Sequence, residues 1–340
     1  MATSDPVPLV ALDLLAKTYG FGSVGSCRYL SHGLLNRNWR ITTEHGAFAL
    51  KELDDASPDK ARHSLALQTR LAGLGVPVVE AVPAVTGEIV PEIDGNAYYL
   101  TPWRVGTHPR GEEMGADSAF HMGAVLGRVH RALADPAAGL AAPEQPFTAA
   151  TTLQAAREGV NAFLGLIAGL ADPDEFDTAV VPLLERRLDD LAAHEHLRPV
   201  DDRPVGRFGW IHGDCQNWNL LWSGGRIAAV LDWDKIRVRP YGEEIVRAAT
   251  YQMVLSDGRV DLGNVAALVA GYRTEAAIDA AALADAARRR WWHLLTGVWP
   301  LDFHYCRGNR WSDALFFSGD RLTRWWTANL AEVEAAFAGA

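Results

Sequence analysis

The first hundred residues of the chain contain short runs of alternating apolar and polar residues. Such runs predict six strands, at residues 27–30, 38–43, 47–53, 76–85, 88–93 and 96–101. Apolar spacing of three to four residues predicts two helices in the same region, at 7–19 and 58–74. Ser57 and Pro58 provide an N-cap and a first-turn proline for the second helix. This part of the chain is therefore predicted to be β-rich with few helices.

After Pro102 and Trp103 the pattern becomes helical. Predicted helices lie at 118–133, 152–170 and 177–194, and the portion 246–338 is almost wholly helical in period. One hairpin interrupts them, with strands at 219–222 and 226–231 around a Ser-Gly-Gly turn. We predict an α+β protein with a small β-rich lobe, residues 1–102, and a large helical lobe, residues 103–340. A small-molecule site is expected in the cleft between two such lobes.

The composition excludes several classes of protein. Of 340 residues, 49% are apolar and 22% are charged, which is typical of a folded globular chain. The formal net charge is −10, which argues against a broadly basic surface. We therefore expect neither nucleic acid nor a membrane as partner. Three scattered cysteines, without CxxC spacing, form neither a disulfide framework nor a zinc ligand set, which favours a reducing environment. Residues 1–8 lack the pattern of a signal peptide and no stretch approaches 18 uninterrupted apolar residues, so we predict a cytoplasmic location. The sequence does not indicate an oligomeric state.

The segment 210–234 carries a set of side-chain oxygens. Asp214 precedes the predicted hairpin, Asn219 lies at its start, and Asp232 and Asp234 follow its second strand. Because a hairpin brings its two ends together, these side chains are expected to lie close in space. Carboxylate and amide oxygens are the ligands of Mg²⁺, which is commonly completed by substrate phosphates. The sequence therefore predicts a magnesium site that works with a phosphate donor.

The order and spacing of these residues match a known template for phosphoryl transfer. An Asp, an Asn five residues later and a further Asp act together in that chemistry. With His212-Gly213-Asp214, Asn219 and Asp232-Trp233-Asp234, the chain resembles the kinase-like phosphotransferase family of aminoglycoside and macrolide phosphotransferases, choline kinases and type II homoserine kinases. The resemblance implies a two-lobed protein-kinase-like fold. It also implies transfer of a γ-phosphate from ATP or GTP to a hydroxyl group.

The resemblance also implies roles for individual residues. Asp214 would orient the acceptor hydroxyl as a base, and Asn219 and Asp232 would hold Mg²⁺ against the phosphates. Asp234 would reach a second ion or the acceptor. His212 would brace the catalytic loop, and Glu243 stands where the family commonly has a bracing Asp.

Nucleotide-binding residues are expected in the small lobe. Lys51 resembles the strand lysine that contacts the α- and β-phosphates, Gly33 and Asn36 belong to a phosphate-covering turn, and backbone atoms around Leu100 and Trp103 would meet the adenine edge. The predicted helix 58–74 lacks the glutamate that normally pairs with this lysine. Ser64 and Gln68 stand near its place.

The resemblance implies that the acceptor binds in the C-terminal helical part. Six of the 12 tryptophans lie between residues 291 and 326, and Trp299, Asp302 and His304 suit a cationic or sugar-like acceptor. The alternative for these aromatic rings is ordinary core packing.

Two classes of function remain open from the sequence. The first is a small-molecule O-kinase, for which we favour an antibiotic acceptor such as an aminoglycoside or nucleoside and a role in resistance. A metabolic kinase for an amino alcohol, a sugar or homoserine is the alternative within that class. The second class is a nucleotide-binding pseudokinase or scaffold, indicated by the missing helix glutamate and the glycine-poor turn. The intact Asp214, Asn219 and Asp232 favour catalysis.

Overall fold

The computed structural model describes residues 12–30, 37–53 and 57–339. Its strands are β1 (Val24–Tyr29), β2 (Arg37–Thr43), β3 (Gly46–Glu52), β4 (Glu92–Ile93), β5 (Asn96–Pro102), β6 (Phe208–Ile211), β7 (Leu220–Ser223), β8 (Arg226–Val230) and β9 (Arg237–Pro240). Its helices are α1 (Leu12–Tyr19), α2 (Pro58–Gly73), α3 (Ala116–Ala134), α4 (Leu153–Ala168), α5 (Glu175–His194), α6 (Tyr241–Gln252), α7 (Leu262–Arg273), α8 (Ala280–Thr296), α9 (Trp299–Leu301), α10 (Asp313–Ala328) and α11 (Leu330–Ala338).

The fold consists of two compact units. The first unit comprises Met1–His108, Ala132–Ala141 and Trp218–Ile236, and the second comprises Pro109–Arg131, Ala142–Asn217 and Arg237–Ala340. This division is based on which residues pack together in space. The boundary at residue 102 was drawn from the sequence pattern alone and stays a prediction. The hairpin of β7 and β8 is thus part of the first unit although it is encoded late in the sequence.

An antiparallel five-stranded sheet in the order β1-β2-β3-β5-β4 forms the centre of the first unit. Its strands alternate buried and more exposed positions, as expected for a sheet with one face on a core. Trp39, Leu50 and Tyr98 are almost fully buried there, and Leu15 and Tyr19 of α1 pack against them. The strands predicted for residues 38–43, 47–53 and 96–101 are found within one residue of the predicted ends.

The structure differs from the sequence prediction in the segment 74–91, where two strands were expected. Residues 76–85 were expected to form a strand, but only an isolated bridge between Val82 and Leu100 is present there, and the strand expected at 88–93 is reduced to β4. Pro77, Pro83 and Pro91 interrupt the apolar runs, and a proline has no N–H to donate to a sheet. The apolar residues are still buried, because Val79 and Val90 pack into the unit as irregular chain.

The hairpin is fixed to the first unit by main-chain hydrogen bonds. The Val230 N–H donates to the Pro77 carbonyl over 2.7 Å, and Thr107 and Trp222 exchange a pair of 2.9 Å hydrogen bonds. Val79 also packs against the hairpin in a buried apolar cluster with Leu221 and Ala229. Main-chain hydrogen bonds to the rest of the first unit therefore hold the hairpin at Val230 and at Trp222, and Val79 adds a buried apolar contact.

Helices form most of the second unit, with β6 and β9 paired antiparallel beside them. Two glycines allow α3 and α7 to cross closely, because a Cβ at Gly123 would collide with the Leu268 carbonyl oxygen and one at Gly271 with that of Phe120. No helix of the described residues is long and apolar enough to cross a membrane.

The tryptophans of the C-terminal region divide between core and surface. Trp291, Trp292 and Trp326 are almost fully buried, as the packing alternative predicted. The Trp291 indole N–H donates to Thr327, which satisfies the polar atom of that buried ring. Trp299, by contrast, is about half exposed.

Candidate active site

The loop that contains His212, Gly213 and Asp214 follows β6 and is anchored by a buried carboxylate on α6. Glu244 accepts the backbone N–H of His212 over 3.1 Å and that of Gly213 over 2.5 Å, and it is hydrogen-bonded to His130 Nε2 at 2.8 Å. The side chain is only 2% exposed. A buried carboxylate of this kind is costly to leave without donors, so its three contacts hold the loop in one conformation.

The bracing residue is therefore Glu244 and not the predicted Glu243. Burial alone would raise the pKa of Glu244, but the hydrogen bond and charge of His130, the His212 ring and the Gly213 N–H together lower it. Glu243 lies on a different face of α6, 3.9 Å from Arg239, and burial raises its pKa. On a helix, adjacent residues point about 100° apart, so the sequence alone did not show which glutamate faces the loop.

Asp214 is oriented by side chains of the same unit. Arg247, one helical turn after Glu244, donates to Asp214 Oδ1 over 2.8 Å and to the Gly213 carbonyl over 3.2 Å. The Gln216 side-chain amide lies 3.3 Å from Asp214 Oδ2, and His212 Nδ1 accepts the Asp214 N–H over 3.3 Å. Both carboxylate oxygens of Asp214 are thereby held in place. Arg247 was missed by the sequence analysis, and its only signal is the helical spacing from Glu244.

The hairpin brings Asn219 and Asp232 together in the first unit. The Leu231 N–H donates to the Asn219 carbonyl over 2.8 Å, so Asp232 is the residue directly after that bridge. Asp232 has a left-handed backbone with φ 59°, a conformation that Asp and Asn adopt more readily than other non-glycine residues. The buried Trp233 donates to the Val230 carbonyl over 3.0 Å and secures the turn.

These residues provide a pair of hard oxygen donors for a cation. The described residues contain no group of three or more His, Cys, Asp or Glu side chains placed to hold a metal ion. An amide and a carboxylate are nevertheless a donor set that fits Mg²⁺, since this ion keeps several waters and takes its remaining ligands from phosphates. Asn219 and Asp232 therefore fit the predicted ion as partial ligands.

Lys51 on β3 has a carboxylate partner from the hairpin turn. Its Nζ lies 3.5 Å from Asp234 Oδ2 and 5.5 Å from the centre of the Tyr99 ring. Burial would lower the pKa of Lys51, but the Tyr99 hydroxyl and the carboxylates of Asp234 and Asp232 outweigh it and raise the pKa. Ser64, near the place of the absent helix glutamate, has a buried hydroxyl without a hydrogen-bond partner among the described residues. Asp234 thus supplies the carboxylate partner of Lys51 in place of the absent helix glutamate.

The other residues predicted to bind the nucleotide are Leu100, Trp103, Gly33 and Asn36. The Leu100 carbonyl accepts the Val82 N–H over 2.8 Å, and the Trp103 N–H donates to the Ala47 carbonyl over 2.9 Å. The Leu100 carbonyl and the Trp103 N–H already form hydrogen bonds within the first unit. A contact of adenine with other atoms of these two residues stays a prediction. Gly33 and Asn36 lie outside the described residues.

The predicted acceptor residues form a separate cluster after α8. Trp299 packs edge-on against Phe303, and Asp302 accepts a hydrogen bond from Arg307 over 2.8 Å. His304 is buried, stacks on Phe176 with centroids 4.2 Å apart, and is hydrogen-bonded to Asp313 at 2.8 Å. These partners already occupy Asp302 and His304, so their role in acceptor binding stays a prediction.

A cavity of about 280 Å³ lies elsewhere in the second unit, among α6, α8 and β9. We name it the arginine cavity after its charged lining residues, which are Arg237, Glu243, Arg247, Asp285, Arg289 and Arg290. Arg247 connects its wall to Asp214 by the 2.8 Å hydrogen bond described above. Trp299, Asp302 and His304 are not among its lining residues.

Comparison with solved structures defines the class of fold. The spectinomycin phosphotransferase solved with ADP and spectinomycin matches with a TM-score of 0.64 at 14% identity, covering 96% of this chain and 97% of that one. The prediction of a protein-kinase-like α+β fold is confirmed.

Sequence comparison then gives the family. The model of the phosphotransferase enzyme family matches residues 26–283, and the chain belongs to this family, as predicted. The homoserine kinase of Methylobacillus flagellatus is 26% identical over 221 residues, which span 64% of this chain and 60% of that enzyme. The homoserine kinase of Pseudomonas aeruginosa is 23% identical over 275 residues, or 80% of this chain and 79% of that enzyme.

Proposed function

We propose that this protein is a kinase that transfers the γ-phosphoryl group of a nucleoside triphosphate to a hydroxyl group of a small molecule. The observation that carries the proposal is the loop held by buried Glu244, which presents a doubly hydrogen-bonded Asp214. Such positioning is the main requirement of phosphoryl transfer, because the reaction depends on alignment and charge stabilisation. Family membership supports the same chemistry.

Asp214 would act on the acceptor. Its carboxylate would accept a hydrogen bond from the hydroxyl and take up the proton as the new O–P bond forms and the bond to the β-phosphate oxygen breaks. The nucleoside diphosphate leaves with the electron pair of that bond. Arg247 would keep the carboxylate in its acceptor orientation.

Lys51, Asn219 and Asp232 would act on the donor. Lys51 carries a fixed positive charge for the α- and β-phosphates, because its pKa is raised. Asn219 and Asp232 would hold Mg²⁺, which when bound offsets the negative charge of the phosphates. Asp234 would keep Lys51 in place, and a contact of Asp234 with a second ion remains an alternative role for the same side chain. The ADP complex of the spectinomycin enzyme supports an adenine nucleotide as donor.

The acceptor is a small molecule with a hydroxyl group. Two relatives in sequence are homoserine kinases, and spectinomycin is the compound bound in a protein of similar fold. Free cysteines at positions 27, 215 and 306 are in keeping with a reducing compartment, so we propose the cytoplasm as the location.

The test is a coupled assay of nucleoside diphosphate release with ATP or GTP, with and without Mg²⁺. The acceptor panel would contain amino acids, amino alcohols, sugars, nucleosides and aminoglycosides, and phosphorylated product would be confirmed by mass spectrometry. We expect at least one acceptor to raise turnover above the rate of nucleotide hydrolysis, in a Mg²⁺-dependent manner. Tight nucleotide binding without transfer to any acceptor would indicate a pseudokinase instead.

A further inference from the structure

The charges of the arginine cavity are only partly balanced by the protein. Arg289 forms a 2.8 Å ion pair with Asp285, and Arg247 forms one of 2.8 Å with Asp214. These pairs cancel two of the four positive charges in the wall. The charge that remains is therefore set by Arg237, Arg290 and Glu243.

Arg237 and Arg290 have no comparable partner. Neither guanidinium has a carboxylate within 4 Å in the part of the chain that the structure describes, and the buried Nε of each lacks a hydrogen-bond partner there. The Tyr251 hydroxyl contacts the Arg290 guanidinium but leaves that Nε unsatisfied. A buried donor without an acceptor costs about 1–3 kcal/mol, and more when it is charged. Two such donors in one cavity wall indicate that a ligand supplies the missing acceptor.

One further acid, Glu243, belongs to the cavity lining. Its only ion pair within 4 Å among the described residues is with Arg239, which is outside the lining, so it forms no close pair with Arg237 or Arg290. The positive charge is also felt by neighbouring groups. Burial and the charge of Arg247 lower the pKa of Arg290, and burial with the charges of Arg290 and Arg247 lowers the pKa of His293 to about 4. An anion in the cavity would relieve these repulsions.

The size of the cavity restricts its ligand. Pockets for drug-sized ligands are roughly 300–1,000 Å³, so a cavity of about 280 Å³ is just below the lower end of that range. A compact acceptor fits this volume better than a multi-ring antibiotic does. The surplus of arginine also opposes a polycationic acceptor, since like charges in a partly buried site repel strongly.

We infer that the arginine cavity binds the carboxylate group of a small hydroxylated acceptor, with Arg290 and Arg237 as its principal donors. The inference rests on the proposed function, because the link between cavity and chemistry is the contact of Arg247 with Asp214. A planar guanidinium matches a carboxylate through two parallel hydrogen bonds, which gives orientation as well as affinity. The site thereby selects a hydroxy acid or hydroxy amino acid over the corresponding alcohol.

Matched acceptor pairs test this inference. L-Homoserine and 3-aminopropan-1-ol differ only by the carboxylate, as do L-serine and ethanolamine. Values of kcat and KM would be measured for each with the wild type, Arg290→Gln, Arg237→Gln and Arg288→Gln. The last variant is the control, because Arg288 is on the same helix but pairs with Glu334 outside the cavity lining. Melting temperatures would show that each variant is folded.

We expect the wild type to prefer at least one amino acid over its amino alcohol by about 100-fold in kcat/KM, from two charge-assisted hydrogen bonds. Arg290→Gln should remove most of this preference, mainly through KM, and leave the amino alcohol within about twofold of wild type. Arg288→Gln should change neither ratio. Equal use of both members of each pair by the wild type would overturn the inference, and so would an equal loss for both in Arg290→Gln.

Binding separates this inference from the proposed function. In thermal-shift titrations, the same four compounds would be added to the wild type and to Arg290→Gln without nucleotide. Stabilisation by an amino acid that depends on Arg290 supports the carboxylate site even if no phosphoryl transfer is found. Transfer to aminoglycosides or sugars without any preference for carboxylates supports the kinase and overturns the site. Arg290-dependent stabilisation by inorganic phosphate but not by carboxylates would also overturn it.

Discussion

Lys51 Nζ lies 3.5 Å from Asp234 Oδ2, so the strand lysine of the first unit is paired with the turn after the hairpin rather than with α2. The pairing partner and the predicted metal ligand Asp232 are two residues apart in the same turn. A residue expected to bind the donor and residues expected to bind its cation are thus positioned by one short segment. Any change in that turn should affect both.

Lys51→Met should weaken nucleotide binding by about 10- to 100-fold, because it removes a charge-assisted hydrogen bond worth about 1.5–3 kcal/mol. Titration of a fluorescent nucleotide analogue measures the dissociation constant. Lys60→Met, at an exposed lysine on α2, is the matched control and should bind as the wild type does. Unchanged affinity in Lys51→Met would show that this lysine does not contact phosphates.

Asp214→Asn should lower kcat by about 10²–10⁴-fold, the usual contribution of a general base, and leave nucleotide affinity unchanged. The amide keeps the shape of the side chain but cannot accept the hydroxyl proton. Single-turnover transfer and nucleotide titration measure the two quantities separately. Retained turnover in this variant would contradict the assignment of the base.

Glu244→Gln should destabilise the protein by about 2–3 kcal/mol, because a buried, charge-assisted set of hydrogen bonds is replaced by an amide that has donors of its own. Urea unfolding followed by circular dichroism measures the change. Glu243→Gln on the same helix is the control, and its effect should stay within about 0.5 kcal/mol. A reversed order of the two effects would show that Glu243 is the bracing residue.

Gly123→Ala should destabilise the second unit by about 2–3 kcal/mol or more, because its methyl group would collide with the Leu268 carbonyl at the crossing of α3 and α7. Gly165→Ala provides a control of opposite sign. Gly165 is exposed in α4, and a methyl group added there would meet nothing within 4 Å, so alanine should stabilise that helix by about 0.5–1 kcal/mol. Thermal unfolding of the two variants measures both effects.

The pH dependence of stability should reveal His293. Burial and the charges of Arg290 and Arg247 lower its pKa from 6.5 to about 4, so the folded state binds fewer protons than the unfolded state between these values. Stability contributed by the neutral ring is therefore present above pH 6.5 and is lost as the pH falls towards 4. The difference in unfolding free energy between wild type and His293→Gln should decrease as the pH is lowered from 6.5 to about 4. A difference that is constant with pH would mean that the pKa of His293 is not lowered.

Prediction from the sequence succeeded where local pattern decides structure. The strands around Lys51, the capped start of α2 at Ser57 and the hairpin with Asn219 and Asp232 follow from alternation and turn residues. It failed where a choice depends on tertiary packing. Which of Glu243 and Glu244 contacts the loop depends on the face that α6 turns towards it. Arg290 and Arg237 line one cavity although they are 53 positions apart in the chain, so their proximity is not visible in the sequence.

The first unit is made of three separate pieces of chain, of which the last, Trp218–Ile236, carries Asn219, Asp232 and Asp234. During synthesis this unit cannot be completed when its sheet emerges from the ribosome, since Val79 and Pro77 lack their hairpin partners until Val230 has been made. About 100 residues of the second unit, Pro109–Arg131 and Ala142–Asn217, are translated in the meantime, at about 5–20 residues per second. The residues expected to bind the cation are therefore made after the sheet that they join and after a large part of the second unit.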